Sequence, residues 1–287
     1  GVRALEGELP ALFDLVPTDR QATSLAASPA GVLVGYAEGS ARVLRDGHEQ
    51  SVQLAQAPRV SLWAGDVVWA GNAGELVALT ADAAHRPQLP GPGSADLSSL
   101  ASAEGRVAVG TFRAGVALQG GEEGLLRLRA TDGLPSDEIN TLAFAPDGAL
   151  WVGTTHGLAV VAADGKVASV LGEDTLPCGH VNDLLIDGPT VYVAMGCGIV
   201  VVDATTHSLV AHWGPSAGLP HRIVYTLAKW QTRLVAGTND GLAWRELGAD
   251  DGAWTVLRAG ASGLGDNWIS AAAAQGERLL VGTAAKG

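Results

Sequence analysis

Short apolar runs alternate with glycine-containing polar turns along most of the chain. In the stretch "GALWVGTTHGLAVV" (148–161), two apolar runs flank the turn Gly-Thr-Thr-His-Gly. The runs have the length of strands, contain β-branched residues and lack the 3.6-residue periodicity of an amphipathic helix. The pattern therefore predicts two antiparallel strands joined by a tight turn.

This hairpin pattern recurs along the chain at intervals of roughly 40 residues. The copies are "GVLVGYAEGSARVL" (31–44), "VVWAGNAGELVAL" (67–79), "RVAVGTFRAGVALQ" (106–119), "ALWVGTTHGLAVV" (149–161), "TVYVAMGCGIVVVD" (190–203), "RLVAGTNDGLAWRE" (233–246) and "RLLVGTAAKG" (278–287). Their anchor positions are Gly35, Gly71, Gly110, Gly153, Ala194, Gly237 and Gly282. Several short strands repeated at this period are typical of a β-propeller, so we predict an all-β fold with seven blades.

Each complete repeat predicts four antiparallel strands, named a to d in chain order. In the fourth copy these are "EINTLAFA", "ALWVGT", "GLAVVA" and "KVASVLG". Asp147-Gly148 separates strand a from strand b, and Asp164-Gly165 separates c from d, as expected for hairpin turns. Gly153 and Gly157 bracket the b–c turn, where a positive φ or close packing favours glycine.

The two chain ends predict closure of the propeller. The last copy stops after strand b, whereas the opening stretch "GVRALEGELPALFDLVPTDR" reads as strands c and d alone. We therefore predict that these N-terminal strands complete the last blade and close the ring. Residues 1–287 would then form a single seven-bladed domain with four antiparallel strands per blade.

One stretch carries a family resemblance. "DGLPSDEINTLAFAPDGALWVGTTHGLAVV" (132–161) resembles the two-component-regulator propeller repeat, whose pattern is Gly-Leu-Pro-Ser, an inner strand, Asp-x-x-Gly, Leu-Trp-Ile-Gly-Thr and Gly-Leu. "DTLPCGHVNDLLI" and "AGLPHRIVYTLA" keep the Leu-Pro entry. The resemblance is close for residues 131–287 and faint for 20–119. It implies an extracytoplasmic sensor or binding module of a bacterial signalling protein, located in the periplasm or outside the cell.

Composition narrows the possible partners. The chain has 18 Lys and Arg against 30 Asp and Glu, a net charge of −12. An acidic surface repels phosphate backbones, so we expect no nucleic-acid partner, whereas cationic ligands remain compatible. No apolar run reaches the roughly 18 residues of a membrane helix, so we expect no membrane insertion. We expect a monomer.

Candidate ligand-binding residues lie where the loops from d to a and from b to c would meet at the mouth of a central funnel. Their side chains differ from blade to blade, although exposed loops also vary without a function. The candidates are Arg113, Glu138, Asn140, His156, His180, Asn182, His221, Asp240 and Trp268. Asn140 and Asn182 occupy equivalent positions on strand a, where they would either line the channel or hydrogen-bond their neighbours. Trp268 enters an inner strand, where its ring could stack on a ligand.

The two cysteines leave three alternatives open. Cys178 and Cys197 would form a disulfide in an oxidising compartment, stay as thiols, or join His156, His180 and His221 in a tetrahedral metal site. The loop spacing resembles no zinc knuckle, so we expect no metal and no cofactor.

The sequence is compatible with three classes of function. A non-enzymatic propeller would bind a small molecule, a glycan or a protein segment at the funnel. A metal-assisted lyase or hydrolase, of which the propeller-shaped streptogramin lyases are an example, would use His180 or His221 as acid or base. A structural hub would use the blade rims. No phosphate-binding loop or nucleophile motif is present, so we favour the binding propeller.

Overall fold

The computed structural model describes residues 2–5, 22–28, 30–45, 47–73, 75–80, 84–85, 96–119, 125–248, 252–260 and 264–284. The chain divides into two compact units. Unit 1 comprises Gly1–Pro87, Gly218–His221 and Tyr225–Gly287, and unit 2 comprises Gln88–Ala217 and Arg222–Val224. No helix in the described part of either unit is both long and apolar enough to cross a membrane.

The first part of unit 1 contains an N-terminal strand and two four-stranded antiparallel sheets. The N-terminal strand is β1 (Val2–Leu5). The first sheet consists of β2 (Ala22–Ser28), β3 (Gly31–Tyr36), β4 (Ser40–Arg45) and β5 (His48–Gln53). The second consists of β6 (Val60–Ala64), β7 (Val67–Asn72), β8 (Glu75–Leu79) and β9 (Ala84–His85). In both sheets the strands pair in chain order, as the repeated hairpins predict.

Unit 2 contains three four-stranded sheets of the same kind. The first consists of β10 (Leu97–Ala103), β11 (Arg106–Thr111), β12 (Val116–Gln119) and β13 (Leu125–Leu128). The second consists of β14 (Ile139–Phe144), β15 (Leu150–Thr154), β16 (Gly157–Val161) and β17 (Val167–Leu171). The third consists of β18 (Val181–Asp187), β19 (Thr190–Met195), β20 (Gly198–Asp203) and β21 (Leu209–Trp213). Short 3-10 turns occupy Ala130–Asp132 and Pro215–Ala217.

The remainder of unit 1 contains one four-stranded and one three-stranded sheet. The four-stranded sheet consists of β22 (Val224–Trp230, whose first residue belongs to unit 2), β23 (Arg233–Thr238), β24 (Gly241–Glu246) and β25 (Thr255–Leu257). The three-stranded sheet consists of β26 (Ile269–Gln275), β27 (Arg278–Thr283) and β1. β1 pairs antiparallel with β27, with Val2 opposite Gly282 and Leu5 opposite Leu279.

The predicted number of complete blades is therefore wrong. The described residues form six four-stranded sheets rather than seven, and the sheet that the N-terminus joins has three strands. The N-terminal strand c is confirmed by the pairing of β1 with β27. The predicted strand d falls within residues 6–21 and lies outside the described residues. The prediction of one domain over 1–287 stays a prediction.

The apolar core of each unit lies between successive sheets. In unit 2, Trp151 on β15 is fully buried and clusters with Val160, Val193 and Val200 of its own and the next sheet. All five residues of β15 and all five of β16 are buried. Central strands that are covered on both faces read as continuous apolar runs, which explains why the b and c runs dominate the sequence.

The anchor glycines Gly110, Gly153 and Gly237 are required by the packing of one sheet on the next. A Cβ added at Gly153 would lie 2.5 Å from Cγ1 of Val181, the first residue of β18, which is strand a of the following sheet. A Cβ at Gly110 would lie 2.7 Å from Cγ2 of Ile139, and one at Gly237 would lie 2.8 Å from Cγ2 of Ile269. Gly153 was expected to serve either a positive φ or close packing, and the structure assigns it to close packing.

The Gly-Leu-Pro entry of the repeat also has a local physical cause. Gly133 ends the 3-10 turn with a φ of 106°, and its N–H donates to the carbonyl of Ala130 at 3.2 Å. Glycine adopts this left-handed conformation at little cost. The following Leu134 is buried in the core of unit 2 at 4% exposure. The motif thus turns the chain with its glycine and anchors it with its leucine.

Candidate functional site

A shared backbone hydrogen bond defines an entry position before strand a. In four sheets the carbonyl of this residue accepts a bond from the N–H of the residue that follows strand b. The pairs are Asp96 with Phe112 (3.0 Å), Glu138 with Thr155 (3.2 Å), His180 with Gly196 (3.3 Å) and Trp268 with Ala284 (2.9 Å). The side chains of Glu138, His180 and Trp268 are exposed, and Asp96 is half-buried. The same main-chain frame therefore presents a different side chain from each of these sheets.

A buried threonine closes the b–c turn in three sheets. The Thr154 hydroxyl donates to the carbonyl of Gly157 at 2.9 Å and accepts from the N–H of His156 at 3.1 Å. Thr238 makes the same two bonds, to Gly241 at 2.8 Å and from Asp240 at 3.1 Å. Thr111 likewise donates to Gly115 and accepts from Ala114. The repeated Gly-Thr is therefore structural, and the side chains that follow it are the variable ones.

In unit 2, the structure brings His156 close to the entry segment of Glu138. The imidazole Nδ1 of His156 lies 2.9 Å from the hydroxyl of Thr155, which donates to Ser136 Oγ at 3.3 Å. Ser136 Oγ also accepts from the N–H of Glu138 at 3.0 Å. His156 and Glu138 are both exposed, so this turn and this entry present an imidazole and a carboxylate to solvent.

Asn140 and Asn182 stitch neighbouring strands together. The amide of Asn140 donates to the carbonyl of Val181 at 2.8 Å, and that of Asn182 donates to the carbonyl of Val224 at 2.7 Å. Both asparagines lie where the pairing of strands a and b shifts register, as in a β-bulge. Of the two alternatives left open by the sequence, the hydrogen bond to a neighbour is the one that the structure contains. Thr23 in unit 1 makes the equivalent bond to Pro58 at 2.6 Å.

The His180 carbonyl accepts a backbone hydrogen bond from Gly196, and its imidazole contacts Asn140. Its Nε2 lies 3.4 Å from the Asn140 amide nitrogen, and the ring is exposed. Neither this contact nor the contact of His156 with Thr155 involves a carboxylate. Arg113 is exposed in the β11–β12 turn.

The two cysteines form a disulfide. Cys178 and Cys197 have a Cα–Cα distance of 6.3 Å, and the bond ties the loop before β18 to the β19–β20 turn. His212 Nε2 contacts the carbonyl of Cys197 at 2.9 Å. The structure thus decides among the three alternatives, because sulfurs bonded to each other are not the thiolate ligands of a Cys/His zinc site. The bond ties Cys178, two residues before His180, to Cys197, which follows the Gly196 whose N–H donates to the His180 carbonyl.

In unit 1, Asp240 and Trp268 belong to one cluster of polar and aromatic side chains. The Asp240 carboxylate accepts from Arg258 at 3.0 Å and 3.2 Å and from the Asn267 amide at 3.3 Å. The Trp268 ring packs against that of Tyr225, with centroids 5.7 Å apart and planes inclined by 32°. The third predicted residue of this unit, His221, is half-buried.

Lowered pKa values occur at Asp164, Asp203 and Glu246, away from these side chains. The Lys166 N–H and ammonium hold the pKa of Asp164 below its usual range, and the N–H and hydroxyl of Thr206 do the same for Asp203. Hydrogen bonds from Arg233 and Thr232 lower the pKa of Glu246. Asp164 and Glu246 are exposed and Asp203 is half-buried, and all three lie in turns or at a strand end, so these shifts report local hydrogen bonding rather than catalysis.

The predicted site residues do not include Tyr225, Asn239 and Asp266, or the Asp240 partners Arg258 and Asn267. Tyr225 precedes Thr226 as Asn140 precedes Thr141, and the two threonines contact the anchor glycines of their own sheets. Extending the recognised equivalence of Asn140 and Asn182 by one more repeat would have found it. Arg258 lies 18 residues from Asp240 in a segment without a repeated pattern, and no sequence signal points to it.

The architecture is that of a β-propeller, and solved structures agree. The extracellular domain of a putative hybrid two component system, BT4673 from B. thetaiotaomicron, matches with a TM-score of 0.73 at 17% identity over 92% of this chain and 37% of that one. The corresponding domain of BT3049 from the same organism matches at 0.73 and 13% over 93% and 39%. U3-55K matches at 0.70 and 12% over 98% and 91%. This chain spans well under half the length of the two extracellular domains.

Residues 133–156 match the model of the two component regulator propeller family. The resemblance inferred from the Gly-Leu-Pro entry and the b–c hairpin is therefore confirmed, and this segment is a two component regulator propeller repeat. No curated protein matches the sequence.

Proposed function

We propose that the chain is a non-enzymatic recognition propeller of the extracytoplasmic sensor type, which binds a ligand or partner through its strand entries and b–c turns. One observation carries the proposal. Equivalent entry positions share one backbone hydrogen bond yet carry Asp96, Glu138, His180 and Trp268. A rigid frame that presents unlike side chains loses little conformational entropy on binding, which favours recognition.

The location of the chain in the periplasm or outside the cell is part of this proposal. The disulfide between Cys178 and Cys197 uses the only two cysteines of the sequence, and disulfides persist in oxidising compartments. The similar domains from B. thetaiotaomicron are extracellular in their own proteins. We also propose that the chain is monomeric.

The ligand classes under this proposal are a small molecule, a glycan or a protein segment. Thermal unfolding in the presence of organic cations, neutral saccharides and short peptides provides the test. We expect at least one class to raise the melting temperature, and we expect replacement of His156 and His180 by alanine to abolish or reduce the rise for a ligand bound in unit 2. His48→Ala is the matched control, because this exposed histidine lies on the outer strand β5.

The enzyme alternative is separated from binding by turnover. His180→Ala and His221→Ala would remove product formation from any panel member if a histidine acted as acid or base. Under the proposal the panel yields no product by mass spectrometry, and the variants change affinity alone. The proposed function would be contradicted if no ligand class changed the melting temperature at any concentration up to its solubility limit.

A further inference from the structure

Trp268 is an exposed aromatic ring held in place by its neighbours. It is 45% exposed, whereas the other tryptophans in the described ranges are half-buried or buried. Tyr225 packs against its ring, and the Tyr225 hydroxyl lies 3.5 Å from Oδ1 of Asn239. The Trp268 carbonyl also accepts the bond from Ala284. An exposed tryptophan that is fixed on its backbone and by a second ring is prepared for contact with a ligand.

Other tryptophan rings of unit 1 already carry a cation. Arg45 lies 5.2 Å from the ring centroid of Trp63, and Arg233 lies 5.1 Å from that of Trp230. Arg245 lies 5.7 Å from the centroid of Trp254. Within the described residues, no arginine or lysine takes this place over Trp268. Among the described residues, its electron-rich face therefore carries no cation.

The carboxylate of Asp266 is hydrogen-bonded to the backbone of Trp268 and has no positive partner among the described residues. Asp266 Oδ1 accepts from the N–H of Trp268 at 3.1 Å, and no ion pair of Asp266 occurs among the described residues. The neighbouring Asp240 differs, because Arg258 neutralises it at 3.0 Å. The cluster thus offers one uncompensated carboxylate, and the net charge of −12 adds attraction for cations at longer range.

We propose that Trp268 and Asp266 form a binding site for an organic cation, namely a guanidinium or alkylammonium group. The ring supplies a cation–π contact and the carboxylate supplies a charge-assisted hydrogen bond or ion pair. A neutral saccharide could also stack on tryptophan and donate hydroxyl hydrogen bonds to Asp266, but it carries no positive charge for the ring face and the carboxylate to attract. The inference rests on the proposed function and names the ligand chemistry of this part of unit 1.

Titration of the whole chain with tetramethylammonium and with argininamide tests the site, with the indole N–H resonances followed by NMR at constant ionic strength. Tetramethylammonium reports the ring contact and the charge attraction without hydrogen bonds, and argininamide adds hydrogen bonds to both. Methyl β-D-glucopyranoside is the neutral comparison. We expect both cations to shift one indole resonance, which Trp268→Leu removes, and the glucoside to leave it unchanged.

The variants separate the ring from the charge. We expect Trp268→Leu to weaken tetramethylammonium binding by about fivefold or more, and Asp266→Asn to weaken argininamide binding by about threefold or more. Asp147→Asn is the matched control. Asp147 Oδ1 accepts from the N–H of Ala149 at 3.0 Å in the same i to i+2 geometry, and the substitution removes the same charge. Circular dichroism of each variant verifies its fold.

Two outcomes overturn the inference. The first is binding of the glucoside with an affinity that Asp266→Asn leaves unchanged, which would make this a saccharide site. The second is the absence of cation binding at Trp268. If other ligands still bind through His156 and His180, that result refutes the cation site and leaves the proposed function standing; if every class fails, both are refuted.

Discussion

The replacement Gly153→Ala tests the packing of one sheet on the next. The added Cβ would lie 2.5 Å from Cγ2 of Thr141 and 2.5 Å from Cγ1 of Val181, whereas ordinary contacts begin at 3.4 Å. Both neighbours must therefore move by nearly 1 Å. They are buried and β-branched, at 6% and 0% exposure, so their χ1 rotamers offer little freedom.

The expected cost follows from these distances. Overpacking of a filled core costs about 1–3 kcal/mol. The loss of glycine entropy in the unfolded chain offsets about 0.4–1 kcal/mol of this cost. We therefore expect a net destabilisation of about 1–2 kcal/mol, which lowers the melting temperature by about 2–6 °C for a chain of this size.

Thermal unfolding by circular dichroism, with urea titration as a second assay, measures the effect. Gly196→Ala is the control, since a Cβ at Gly196 meets nothing within 4 Å. We expect Gly196→Ala to change stability by no more than about 0.5 kcal/mol. Val181→Ala makes room at the contact, so its cost and that of Gly153→Ala should combine to less than their sum. Equal melting temperatures for Gly153→Ala and Gly196→Ala would refute the packing argument.

Three further predictions concern hydrogen bonding, the disulfide and acid stability. Ser98 lies at the bulge position of β10, and its buried hydroxyl has no partner among the described residues. Ser98→Asn should gain a hydrogen bond to the next sheet like the one from Asn140 to the Val181 carbonyl. We expect a rise in stability of about 1 kcal/mol, measured by urea titration. Cys178→Ala with Cys197→Ala opens a loop closed over a separation of 19 residues and should lower stability by about 3 kcal/mol; a Tm unchanged by the pair or by reductant would contradict this. The pKa of Asp203 is lowered by the Thr206 N–H. The contribution of Asp203 to the free energy of unfolding is therefore present above its unfolded pKa of about 4 and is lost as the pH falls through its folded pKa. Asp203→Asn should flatten the decline of the Tm below about pH 4.

The local pattern of the sequence determined the strands, their order within each sheet and the b–c hairpins. Apolar runs of β-branched residues and the glycines that bound them act within a few residues of each other, so they can be recognised without knowledge of the partner strand. The Gly-Leu-Pro entry was recognisable for the same reason, because the positive φ of Gly133 and its bond to Ala130 are local. Entry positions such as Glu138 and Trp268 could therefore be placed correctly before any role was assigned to them.

The tertiary structure decided what depends on residues about 20 to 45 positions apart. The sequence left the fate of Cys178 and Cys197 open, because only the fold brings their Cα atoms to 6.3 Å. Asn140 finds its acceptor 41 residues away on the next sheet. The ring of Tyr225 packs against that of Trp268 across a similar separation in the sequence. Position 153 is a glycine because Val181 leaves no room there for a Cβ. Apart from the disulfide, which lies within one sheet, these contacts join successive sheets. Each side chain there depends on a neighbour that the local pattern does not specify, because hydrogen bonds and van der Waals contacts are set by distance in space rather than along the chain.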